Sequence, residues 1–368
     1  MSKHTREFNN ISICIGLLAL MVSGALLAAP PYPQSPVFSG IDWAPANTII
    51  RKASGSDTFP ITWADDDLLY TAFGDGFGFA PQTTQKLSLG LASVGGQPAT
   101  GLSATNIRTN TGEQLGQGSA GKKASSMLMV NGVLYMWARN ADNNGNKSQL
   151  AWSTDHAKTW TWSNWLFNEF GYCVFLNFGK NYAGARDQYV YVYTPNVANA
   201  YTAADNMILM RVPKDQITTR SAYQFYTGVD GNNQPLWSSN ITDRASVFSN
   251  PGNAVRSGIT YNAVKKRYIW WQMLWTNNDV RFSGGFGVYD APEPWGPWTT
   301  VYYTDLWDVG PGETASFPTK WMSPDGNTAY LVFSGDDYFS VRKATFIPTT
   351  PAPTSPPVTP TGLQLNIQ

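Results

Sequence analysis

The stretch SDTFPITWADDDLLYTAFGDGFGF, residues 56–79, decides how the rest of the chain is read. Residues 58–63 form one β-prone run, Asp65-Asp66-Asp67 a turn cluster and residues 68–73 a second run, closed by Gly74-Asp75-Gly76. The pattern is that of a β-hairpin. A hairpin returns its two outer ends to one edge of the sheet, so Asp57 and Asp75 are expected side by side, with the three turn aspartates at the far edge. Two carboxylates converging among Trp and Phe are the groups glycoside hydrolysis requires. The alternative is that Asp57 caps a loop and Asp75 serves a tight Gly-Asp-Gly turn.

Outward from this hairpin the chain shows strand after strand and no amphipathic helix. Four more hairpins follow: residues 124–130 with 133–138 through Asn131-Gly132, 173–178 with 189–193, 257–261 with 268–273, and 317–322 with 329–333. Asn-Gly is a strong hairpin signal. The second strands align on Tyr70, Tyr135, Tyr191, Tyr268 and Tyr330, at uneven intervals. Residues 87–94, 149–153, 207–212, 285–289 and 339–346 supply further strands to each sheet. The expected fold is all-β, a five-bladed β-propeller over residues 30–347, with a β-sandwich as the competing architecture.

The chain of 368 residues holds 25 Lys+Arg against 25 Asp+Glu, so charge gives no case for nucleic acid. Charged residues make up 14%, well below the usual quarter or so, and aromatics another 14%. That composition suits stacking on sugar rings, and equally an all-β core built from aromatics. Residues 1–29 have the design of a signal peptide: Lys3 and Arg6, an apolar run over 11–27, then Ala28-Ala29. A secreted or periplasmic protein with no membrane contact after cleavage is expected; an uncleaved anchor is the alternative. Cys14 lies in that segment, which leaves Cys173 alone, a buried thiol with no disulfide partner. Residues 348–368 form a Pro/Thr-rich tail expected to be disordered. The chain is expected to act as a monomer.

The start of each inner strand and the end of its partner share one face. Asp57, Lys123, Glu169 with Tyr172, Arg256 and Glu313 stand at the starts. Asp75, Arg139 with Asp142, Asn196, Gln272 with Trp275, and Asp336 with Asp337 stand at the ends. Carboxylates and cations meeting in one cup would drive the acids' pKa values apart. Asp57 and Asp75 are the expected catalytic pair, one a proton donor and the other a base or nucleophile, with Glu313 and Asp336 as reserve acids. Lys123, Arg256, Glu169, Tyr172, Trp275 and Lys320 are the expected substrate-binding residues. Trp63, Trp275 and Trp321 are candidate stacking platforms. The ligand expected in this cup is a polysaccharide or oligosaccharide. A lectin would gather the same groups without a catalytic pair, and a lyase on a uronate polymer would use Arg256 with Tyr172 or Tyr261.

The segment STDHAKTW, residues 153–160, resembles the Asp-box of sialidase-type propellers, Ser-x-Asp-x-Gly-x-Thr-Trp, with Ala157 in place of Gly. It makes His156 a turn residue and leaves no histidine for a Ser-His-Asp triad or a multi-histidine metal site. No cofactor is expected. Asp142-Asn143-Asn144-Gly145-Asn146 offers oxygen ligands without the spaced carboxylates of a calcium loop, so a structural calcium is the one metal left open and a turn the first reading.

SDTFPITWADDDLLYTAFGDG, GARDQYVYVYTPN, YNAVKKRYIWWQ, GVYDAPEPWGPWTTV and GPGETASFPTKWMSPDGNTAYLVFSGDDYFSVRKATF resemble the bacterial secreted propellers of the domain-of-unknown-function family 4185. Parts of that family are similar to endo-D-arabinanases, five-bladed glycoside hydrolases that use two Asp of the first blade. The resemblance implies a carbohydrate-active propeller, and Asp57 and Asp75 stand where those two Asp would fall.

Overall fold

The first hairpin forms where its residues require it. Strand β3 (Ile61–Trp63) pairs with β4 (Leu69–Phe73) in antiparallel register, Ile61 opposite Thr71 and Trp63 opposite Leu69. Between them Asp66 accepts hydrogen bonds from the Leu68 N–H at 3.0 Å and the Tyr70 hydroxyl at 2.7 Å, and Asp67 closes the turn at φ +70°. The computed structural model describes residues 29–275 and 279–350. The expected signal peptide, apart from its last residue, and the tail from 351 onward lie outside the described residues. Thr349 is held inside the fold, its N–H on the Val37 carbonyl and its hydroxyl on that of Pro36.

The sheets are runs of antiparallel strands that follow the chain. β5 (Gly90–Gln97) and β6 (Gly101–Ile107) complete the run begun by β3 and β4. The next run is β7 (Lys123–Val130), β8 (Val133–Arg139), β9 (Ser148–Ser153) and β10 (Thr161–Phe167). Then come β11 (Val174–Asn177), β12 (Tyr189–Pro195), β13 (Ala204–Pro213), β14 (Gln224–Val229) and β15 (Pro235–Ser238), with β16 (Ser246–Ala254) also on β13. β17 (Ser257–Asn262), β18 (Arg267–Met273), β19 (Phe286–Ala291) and β20 (Thr299–Thr304) follow. The last run is β21 (Ala315–Ser316), β22 (Thr328–Phe333) and β23 (Phe339–Pro348), completed by β1 (Phe38–Trp43) from the start of the chain, while β2 (Ile50–Lys52) also pairs with β23. Pairing the first strand with the last covers an edge that would otherwise be open.

The inner strands are buried on both faces and the outer ones are not. All eight residues of β7 are buried, whereas β6 alternates exposed and half-buried residues. β11 and β17 run parallel, Leu176 opposite Ile259. Residues of β7, β11, β17 and β21, with Phe59, Pro60 and Ile61 at β3, line one narrow cavity of about 20 Å³, room for about one water. Most Trp side chains serve the core: Trp137, Trp270 and Trp271 are fully buried.

One expectation needs correction. Residues 317–322 are not a strand, since β21 ends at Ser316 and Pro318 leads into a 3-10 turn, Thr319–Trp321; proline fixes φ and has no N–H for a ladder. The Asp-box forms as expected, with Asp155 accepting from the Thr159 N–H and hydroxyl and Ser153 accepting from the Ala157 N–H. Ala157 sits at φ +69°, the left-handed region in which glycine is the usual residue.

Candidate active site

At the mouth of the narrow cavity the chain delivers a ring of ionisable groups. Asp57 pairs with Gly74 through both backbone bonds, N–H to carbonyl at 2.9 and 2.6 Å, so Asp75 follows at the same edge. Gly74-Asp75-Gly76 is required there. A Cβ on Gly74 would collide with Thr58 Oγ1 and Asp57 Oδ1, and one on Gly76 with the Ser56 hydroxyl. The glycines let residues 55–58 press against the end of β4, and Asp75 between them turns at φ +42°.

Asp75 is fixed from two sides. Its Oδ1 forms an ion pair with Lys123 Nζ, and its Oδ2 accepts the Gly118 N–H at 2.9 Å. Lys123 is only 2% exposed. Glu313 holds the centre of the other half: its Oε2 lies 2.5 Å from Arg256 Nη1 and 3.2 Å from Arg139 Nη2. Both guanidinium groups lie 5.2 Å from the ring centroid of Tyr201 and 5.8 Å from that of Tyr172. The Ser334 hydroxyl accepts the Glu313 N–H at 2.8 Å.

This environment splits the acids. Burial raises the Asp57 carboxyl, and the charge of Glu313 raises it further; Lys123 and Arg139 oppose, and it stands at about 6. Burial acts against ionised Glu313 as well, but Arg256 and then Arg139 outweigh it and hold that carboxyl at about 2. Between about pH 2 and pH 6 the cup therefore carries one proton-bearing acid beside an ionised one. Arg139 Nε and Nη1, Arg256 Nε, the Tyr172 hydroxyl and the Gln272 amide are buried without a protein partner among the described residues. Buried polar groups of that kind need hydrogen bonds from another source, such as ordered water or a polar ligand.

Of the expected site residues, Asp57, Asp75, Lys123, Tyr172, Arg256 and Glu313 are brought together. Asp336 is not among them: its carboxylate pairs with Arg51 at 2.5 Å, and it is neighbouring Asp337 whose carboxyl feels Glu313 and bonds Arg281. Lys320 lies at the opposite end, 2.6 Å from Asp67 and over the ring of Trp63, because the 3-10 turn after β21 carries it to the hairpin-turn side. Trp63 is therefore also remote from the cup, and Trp321 is core, 3% exposed. Glu169 acts on the charge of Arg220 and joins none of the cup's ion pairs among the described residues. Trp275 is 43% exposed, with its backbone N–H on the Asn253 side chain. Tyr201 and Ser334 were not foreseen; Tyr201 lies in a loop that no pattern marks.

The Asp142 carboxylate accepts from the N–H groups of Asn144 and Asn146 and from the Asn146 amide, which is the bonding of a turn. A different grouping could hold a metal: ligand atoms of Asp65, Asp66 and His156 lie within 4.8 Å of one another, on the hairpin-turn side, with His156 Nε2 2.8 Å from Asp65.

A model of the family described as "Domain of unknown function (DUF4185)" matches residues 52–342. No curated protein matches the chain. Among solved structures, the RS223 β-xylosidase is 12% identical, with a TM-score of 0.45 over 84% of this chain and 96% of that one. A GH43_1 enzyme from Xanthomonas citri is also 12% identical, with a TM-score of 0.43 over 84% and 92%. A protein of Bacteroides ovatus reaches 0.47 at 12% identity over 83% and 93%. Scores this low carry no inference about chemistry.

Proposed function

The chain belongs to the DUF4185 family, and we propose that it is a secreted glycoside hydrolase, a five-bladed propeller whose cup cleaves a polysaccharide. The five antiparallel runs are its blades, and β1 closes the last of them. The observation that carries the reading is that the Asp57–Gly74 backbone pair sets Asp57 and Asp75 at one edge of the cup, where burial and the ionised Glu313, at about 2, raise Asp57 to about 6; an acid raised in this way is suited to proton donation.

In this mechanism Asp57 gives its proton to the glycosidic oxygen as the bond to the leaving sugar breaks. Asp75, oriented by Lys123 and the Gly118 N–H, is the base that takes a proton from the attacking water, or the nucleophile on the anomeric carbon. Burial and the charge of Glu313 keep Asp57 protonated up to about pH 6, and Glu313 is itself held by Arg256 and Arg139. Lys123 and Arg256 also offer donors to sugar hydroxyls. Of the two tyrosines a lyase could use as base, Tyr261 packs against Arg186 on the hairpin-turn side, and burial pushes the Tyr172 hydroxyl up to about 12, which counts against proton abstraction near neutrality.

The test is a panel of arabinans, arabinogalactan, xylan and uronate-rich polymers, with reducing ends and the ultraviolet absorbance of unsaturated uronates read in parallel. New reducing ends without absorbance, lost in Asp57→Asn, are expected. Absorbance would transfer the case to a lyase. Binding without product in every polymer would make the cup a lectin.

A further inference from the structure

On the hairpin-turn side lies a second concave site, with a volume of about 310 Å³, at the lower end of ligand-pocket sizes. Three connections build it. Arg186 and Asp187 come from the segment between β11 and β12, at the end of β11 away from Tyr172. Asn233 and Gln234 form the turn between β14 and β15. Glu293 and Trp295 lie between β19 and β20.

The charged wall is preorganised. Glu293 holds Arg186 by two parallel bonds, at 2.9 and 3.1 Å, and Arg186 also donates to the Tyr268 hydroxyl at 3.1 Å. Asp187 accepts from the Tyr191 hydroxyl at 2.6 Å and from the Tyr189 N–H at 2.8 Å. These planar groups keep lone pairs and donors for adjacent hydroxyls of a ligand, already fixed in place. The facing wall is free: Asn233 and Gln234 are exposed, and neither amide side chain makes a hydrogen bond among the described residues. Trp295 is half-buried against the core and supplies an aromatic surface at the pocket. An indole beside amides, carboxylates and a guanidinium suits the apolar face and the hydroxyls of a pyranose or furanose. One cation, Arg186, stands against two anions, Asp187 and Glu293, so a polyanion is disfavoured.

We propose that this pocket is a second, non-catalytic site for a neutral saccharide, which anchors a polymer on the side away from the cup. The saccharide class rests on the reading of the cup as a glycan site. The test uses the full chain as Asp57→Asn, run in native gels cast with arabinan, arabinogalactan, xylan or polygalacturonate. Retardation by at least one neutral polymer is expected, with Trp295→Ala on that background weakening apparent affinity about tenfold, the loss of one stacking contact. If Trp295→Ala does not fold, the doubly substituted Asn233→Ala/Gln234→Ala chain, which removes only exposed unbonded amides, carries the comparison. No retardation in any neutral gel, or retardation untouched by these substitutions, overturns the site. Sugar release by the unsubstituted chain without such retardation would leave the hydrolase reading standing alone. Trp295-dependent retardation with no sugar release by the unsubstituted chain would leave this site standing and remove the hydrolase.

Discussion

The Thr58 hydroxyl donates to Asp57 Oδ1 at 2.8 Å from a residue held at φ +50°. A β-branched residue in the left-handed region is strained, and such strain persists where the surroundings dictate it. Gly74 is what dictates it here, since it leaves space for both side chains to lie against the end of β4. Thr58 is a positioning residue: it aims one carboxylate oxygen and leaves the other to act. Thr58→Val keeps the branch and removes the donor. A hydrogen bond to the charged form favours ionisation, so its loss should move the Asp57 titration upward by about one pH unit. Carboxyl-detected NMR of Asp57, read beside the pH profile of any hydrolysis, checks this. An unchanged titration would mean that Thr58 only packs.

Asp57→Asn should stabilise the protein near neutral pH. The folded state binds the Asp57 proton more tightly than the unfolded chain does, since the carboxyl stands at about 6, above its ordinary value. Stability from this group is full below the ordinary carboxylate range and falls as pH rises to about 6. The substitution removes that loss. At pH 7 to 8 the variant should exceed the parent by about 2 kcal/mol in urea unfolding, and the two should converge below about pH 4.

Glu313→Gln should act in the opposite sense. Its carboxyl is held at about 2, so it contributes stability that is present above the ordinary carboxylate range and lost as the pH falls toward 2. The substitution leaves Arg139 and Arg256, both buried, without their shared anion, a loss of about 3–5 kcal/mol. It also removes the charge that raises Asp57, so the alkaline limb of activity should move to lower pH. An unmoved limb would show that burial alone sets Asp57.

The cup was legible because hairpin polarity is a covalent consequence of strand order. Once residues 58–63 and 68–73 were paired, Asp57 and Asp75 had to share an edge, and the same logic placed Lys123, Arg256 and Glu313. It failed where the pairing failed. Residues 317–322 look like a strand by composition, yet Pro318 ends the ladder, and Lys320 goes to the other side. Asp336 and Asp337 are adjacent, and which of them faces Glu313 depends on two left-handed residues, φ +55° and +56°, that no pattern announces. The outer strands, such as β6, escaped because their alternating polar residues bury little. Tyr201 is placed by packing between distant segments, and its own neighbours in sequence say nothing of it.

Gly74→Ala is the sharpest test of how the cup is assembled. Its added Cβ meets Thr58 Oγ1 and Asp57 Oδ1 inside van der Waals contact, and the backbone cannot withdraw. Asp57 is tied to Gly74 itself through the backbone, and Thr58 is 1% exposed. Overpacking of this kind costs about 1–3 kcal/mol, and here relief requires the Asp57 carboxylate to swing away from its hydrogen bond. Gly40→Ala is the control, since a Cβ there meets nothing within 4 Å. Unfolding midpoints should fall for Gly74→Ala alone, and the Asp57 titration should shift in the same variant. If the midpoint falls while the titration stays where it was, the close approach of the two segments serves stability and not the acid.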